Sequence, residues 1–144
     1  MKKGGRVLLY NMNPARARQV QLVCVRAGVR VSLVDAASFG EKIGALAGLT
    51  GFEPAGEAYE GENFTDEMMV MIGLSGPDLD RFLNTFHSMK VASVALKCVL
   101  TPVNSTWTSV QLHEELSKER ASIQDYLSRK KAEKAGQAEK KGDH

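Results

Sequence analysis

Few residues in this 144-residue chain have a type and spacing suited to chemistry. Lys97 and Cys98 sit together inside an otherwise apolar segment, where a desolvated amine or thiolate would serve as base or nucleophile. The alternation of that segment places Lys97 opposite Leu96 and Cys98, toward its wetter face. His87, His113 and His144 have no serine or carboxylate at triad spacing and no metal-ligand spacing, so the sequence predicts neither a catalytic residue nor a metal site. Glu60, Glu62, Asp66 and Glu67 offer oxygens but match no calcium-loop pattern. Gly40, Gly44 and Gly48 recur at intervals of four, which permits close packing. They are not in the order that cradles a phosphate.

The remaining candidates bind rather than react. Asn11, Asn13, Ser75, Thr101, Asn104 and Trp107 are hydrogen-bonding or stacking residues that fall just after apolar runs. Trp107 is the single tryptophan, and beside Asn104 it would make a platform for a base or an aromatic ring. The competing reading is structural, with Asn13 and Ser75 as helix caps, Asn104 shaping a turn and Trp107 anchoring a helix.

These residues must be positioned by strands and helices that recur. Asn13-Pro14 is answered by Gly76-Pro77 at an offset of 63, which also lays Val7-Leu8-Leu9 on Val70-Met71-Ile72 without a gap. Each half reads strand, helix, strand. Asn13 caps a helix with Pro14 in its first turn, Gly28 lies past its end, and Val29, Val31 and Leu33 alternate along a strand. In the second half, Leu79, Phe82, Leu83, Phe86 and Met89 line one face of a helix, and Val94, Leu96, Cys98 and Leu100 alternate. Thr108 and Gln111 form a capping box for a last helix carrying Leu112, Leu116, Ile123 and Leu127.

The expected fold is α/β, a single domain over 1–128. Its repeats, at about 6–49 and 68–128, are joined by an acidic, Gly-rich loop at 50–67, and the tail at 129–144 is charged and disordered. The first strand of each half is apolar throughout, so strands one and three are central. The order is 2-1-3-4 in a parallel sheet with flanking helices, the alternative being a ferredoxin-like order 4-1-3-2. A parallel sheet would gather the six candidate binding residues at the carboxyl edge of its strands.

Composition narrows the class. Nineteen Lys and Arg against 17 Asp and Glu leave a charge of +2, and much of that excess lies beyond Ser128, which argues against nucleic acid as partner. Two cysteines without a CxxC pair point to reduced thiols in the cytoplasm. The apolar run after the N-terminal lysines is too short for a signal or a membrane span.

The segment Val94-Ala95-Leu96-Lys97 through Thr101-Pro102-Val103-Asn104 and Trp107-Thr108, followed by Leu112-His113-Glu114-Glu115-Leu116, resembles a small bacterial family known only as a domain of unknown function. That resemblance covers the second half of the chain and implies no activity, substrate or cofactor. The functional expectation is a non-catalytic cytosolic binding or regulatory module for a small ligand or protein partner, its cofactors unknown. The alternatives are a small enzyme using Lys97 or Cys98, and self-assembly through the last helix.

Overall fold

In the computed structural model, which describes residues 5–56, 59–61 and 64–120, four strands form one sheet in the order β2-β1-β3-β4. β1 (Arg6–Tyr10) and β3 (Met68–Ile72) are the two central strands, as their unbroken apolar sequences require. β2 (Arg30–Val34) and β4 (Leu96–Val99) are the edges. The expected tail at 129–144, and the last helix beyond residue 120, lie outside the described residues.

α1 (Pro14–Ala27) begins where Asn13 accepts a hydrogen bond from the Arg16 amide at 2.8 Å, with Pro14 in the first turn. It stops at Gly28, whose φ of +74° lets the Val29 amide turn back to the Cys24 carbonyl at 2.8 Å. α3 (Gly76–Ser88) repeats the plan with Ser75 as its cap. Its end carries Lys90 at φ +58° in the left-handed role that glycine fills after α1. Each helix returns the chain so that its two strands run parallel, β1 beside β2 and β3 beside β4.

The two β-α-β units meet antiparallel: β1 pairs with β3 about Leu8 and Val70. The order 2-1-3-4 therefore stands, while the expectation of a wholly parallel sheet is corrected to a mixed one. The connection is residues 35–67, which deliver the chain back to the sheet end it left. A parallel β3 would need this segment to recross the sheet, about 16 Å for a five-residue strand. Among its described residues the one α-helix, α2 (Ile43–Leu46), spans only about 6 Å, because glycines interrupt the helical pattern. The chain returns at the edge it left, and Met68 pairs with Tyr10. At Gly44 the Phe52 ring lies where a Cβ would stand, at 2.7 Å, so the packing role read for the spaced glycines holds there.

Alternation along β1 and β3 divides the core into two layers. Val7, Leu9, Met69 and Met71 face α1 and α3, meeting Val20, Cys24, Phe82 and Phe86. Leu8, Tyr10, Met68 and Val70 face the opposite layer. There α2, the aromatic residues Phe39 and Phe64, and the last helix, α4, described over 109–120, cover the sheet. The capping box of α4 forms as read, Thr108 and Gln111 each accepting from the other's amide.

The ungapped offset of 63 is not the correspondence this fold uses. It would equate Val7 with Val70, which face different layers. An offset of 62 puts Val7 with Met69, Val20 with Phe82, Cys24 with Phe86 and Asn13 with Ser75. Strand β4 then enters four residues late: Arg30 pairs 24 residues after Arg6, Leu96 pairs 28 after Met68. The extra residues explain why Val94 packs against α1 and α3, while Leu96 and Cys98 face the other layer.

Candidate functional site

The antiparallel junction separates the six residues expected at one edge. Asn11 and Asn13 follow β1, whereas Ser75 follows β3 and Thr101 and Asn104 follow β4, at the opposite edge. Asn11, at φ +59°, donates through Nδ2 to the carbonyls of Phe64 and Asp66 at 2.9 and 3.0 Å, holding the entry to β3. Ser75 donates to the Asp78 carboxylate at 2.8 Å while capping α3.

Thr101 and Asn104 do come together. The Thr101 amide donates to Asn104 Oδ1 at 2.8 Å, the Asn104 amide to Thr101 Oγ1 at 3.1 Å, and Asn104 Nδ2 to the Val99 carbonyl at 3.0 Å. Asn104 is buried, and this reciprocal pairing uses its amide on the turn out of β4. Trp107 is half-buried against the layer of Phe39 and Ile43, and its carbonyl accepts from the Ile43 amide at 2.8 Å.

The reactive groups are also engaged or quenched. Lys97 donates from Nζ to the Val94 carbonyl at 3.0 Å. Burial pushes the Cys24 thiol up to about 12, and burial, followed by the charge of Glu119, pushes Cys98 up to about 11. Neither is a thiolate near neutrality. Tyr10, its hydroxyl 2.9 Å from Ser109 Oγ, is raised by burial above the ordinary phenol range despite that hydrogen bond, with Cys98 adding to the rise.

One polar set of chemical interest is brought together only by the fold. His113 on α4 stacks on Phe64, with centroids 4.2 Å apart, and its Nε2 lies 2.9 Å from Asp66 Oδ2. Ser117 Oγ approaches the same nitrogen at 3.5 Å. A charge-oriented nucleophile needs the acid and the hydroxyl on different ring nitrogens, so this set ties α4 to the start of β3 and does not form a relay. Asp66 and His113 are 47 residues apart, beyond the reach of any spacing rule. Among the described residues no group of three or more His, Cys, Asp or Glu is placed to hold a metal ion, and no helix is long and apolar enough to cross a membrane.

One unengaged surface among the described residues lies along β2. Between α1 and this edge strand is an open groove of about 470 Å³, lined by Arg6, Gln21, Val25, Val29, Arg30, Val31 and Ser32. Exposed apolar side chains flank it: Leu22 is 55% exposed, Val25 76% and Leu33 57%. The Arg30 amide donates inward to the Gly5 carbonyl at 2.8 Å, so in a parallel ladder Arg30, Ser32 and Val34 turn their backbone groups toward β1. Val31 and Leu33 turn theirs outward, where no further strand lies among the described residues. Residues 5–34 hold five arginines and no other charged side chain. That run and the stripe Arg18, Gln21, Leu22, Val25 at helical spacing were the signals available in the sequence, hidden by a near-neutral total charge.

A family described as a domain of unknown function (DUF3783) matches residues 67–123, so the chain resembles it from the start of β3 into α4. No curated protein and no solved structure matches the chain. The matched stretch includes β3, α3, β4 and Asn104, and excludes β1, α1, β2 and the groove.

Proposed function

We propose that the chain is a non-catalytic binding module whose contact surface is the open β2 edge and its groove against α1. The observation that carries this reading is the coincidence, on one edge, of outward backbone groups at Val31 and Leu33 with exposed Val25, Leu22 and Leu33. The absence of catalysis is supported by Lys97 bonded to a carbonyl and by two thiols held protonated. In this reading Asn11, Asn13, Ser75, Thr101 and Asn104 set backbone turns, and Trp107 anchors the start of α4. The unbridged cysteines support a cytoplasmic setting. The shared plan of the two units supports an origin by duplication, with later divergence of their outer faces.

An amide-resolved NMR titration with short extended peptides, nucleotides and small carboxylates tests the reading. Perturbations are expected on β2 and the stripe from Arg18 to Val25. A ligand whose shifts centre on Thr101, Asn104 and Trp107 would move the site to the turn after β4 and overturn it.

A further inference from the structure

Resting on the groove reading, we infer that the occupant is an extended acidic segment of a partner protein, added as a fifth strand outside β2. Strand addition supplies what the edge lacks. The outward N–H and C=O groups of Val31 and Leu33 lie two residues apart, the repeat at which a neighbouring strand presents its own. Val31 and Leu33 pair with Val7 and Leu9, so they belong to the α1 side of the sheet. Exposed Val25 and Leu22 extend that apolar surface past the edge. Arg6 and Arg30 are cross-strand partners at positions alternating with these, and both line the same groove.

β2 alternates Val31 and Leu33 with Arg30, Ser32 and Val34, so an incoming strand meets valine and leucine with one set of side chains and, at the start of β2, Arg30 with the other. Its matching pattern is apolar on one face with an acidic residue facing Arg30 on the other. Charge fixes the sign, because the groove is lined by Arg6 and Arg30 and by no Asp or Glu. The opposite edge strand differs: β4 carries Lys97 at its centre, a residue type that discourages strand addition. A second copy of the chain is a poorer occupant, since its own β2 strand, Arg30–Val34, brings no carboxylate to Arg30.

The test uses the full chain and three labelled ten-residue peptides, alternating valine with glutamate, with serine or with lysine. Anisotropy follows affinity, and amide spectra locate the contact. The glutamate peptide is expected to bind with shifts at Val31 and Leu33, and to weaken as salt rises. Arg6→Glu with Arg30→Glu should weaken it by about tenfold or more and transfer the preference to the lysine peptide. Val31→Pro removes an outward donor without touching the ladder to β1 and should abolish binding, while the amide spectrum reports that the fold is kept. If the serine peptide binds at Val31 and Leu33 as well as the glutamate peptide, the acidic preference is overturned and the groove reading survives. If no peptide shifts those amides, both fall. A single-stranded oligonucleotide binding there more tightly than the glutamate peptide, or a doubled mass that the peptide does not dissociate, would likewise overturn the inference.

Discussion

The two β-α-β units are alike on their inner faces and unlike on their outer ones. Val20 and Phe82 fill corresponding places against the sheet, as do Cys24 and Phe86, and both helices start from a capping side chain and a proline in the first turn. Outside, α3 exposes Asp80, Arg81, Asn84, His87 and Ser88, an ordinary solvated face. α1 exposes Arg18, Leu22, Val25 and Arg26 beside an open strand. Burial constrains the inner positions in both units and leaves the outer positions free, so a difference there calls for a cause other than folding.

The largest effects should come from the shared inner faces. Phe82→Ala removes a fully buried ring from the layer under α1 and α3 and is expected to cost about 3–5 kcal/mol in denaturant unfolding. Val20→Ala should cost less, because fewer carbons leave the core. If Val20→Ala costs as much as Phe82→Ala, the two places are not equivalent in packing.

The next effect belongs to the thiols and distinguishes the units, because the place of Cys24 is taken by Phe86 in the second. An unfolded thiol ionises near its ordinary value of 9.0, whereas the folded protein holds Cys24 protonated to about 12 and Cys98 to about 11. Both folded values are raised, so the stability they contribute is complete below pH 9. It is lost as pH climbs from 9 through 11 and toward 12, a few kcal/mol in order of magnitude. Cys24→Ala with Cys98→Ala should flatten the fall of Tm over that range, measured against the neutral-pH Tm of the same variant. An equally steep fall in the variant would remove the thiols as its cause.

The smallest effects lie at the helix ends. Lys90 adopts the left-handed conformation that Gly28 adopts after α1, and Lys90→Gly should stabilise by roughly 0.5–1 kcal/mol. Gly28→Ala, with open space around the added methyl but φ at +74°, should destabilise by about 1 kcal/mol. Opposite signs at the two ends would sharpen the parallel between the units, and equal signs would break it.

Much of this plan is legible from residues alone. The unbroken apolar runs at Val7–Tyr10 and Met68–Ile72 place the central strands, and Asn13-Pro14, Gly28 and Thr108 with Gln111 mark helix ends. The direction of β3 is not legible in its own five residues, since an apolar strand buried on both faces reads the same either way. It depends on which end of the sheet residues 35–67 deliver the chain to. A parallel β3 is what would gather Asn11, Asn13, Ser75, Thr101 and Asn104 at one edge. The groove was harder to see, because Leu22 and Val25 resemble core residues until Val20, Val23 and Cys24 are found to occupy the core side of the same helix.

Hydrogen exchange in the free protein, resolved at single amides of β2, tests the open edge most directly. Ser32 and Val34, bonded inward to β1, are expected to exchange slowly, and Val31 and Leu33 to exchange faster by orders of magnitude. Protection of Val31 and Leu33 equal to that of Ser32 would show the edge already occupied, and would contradict the account.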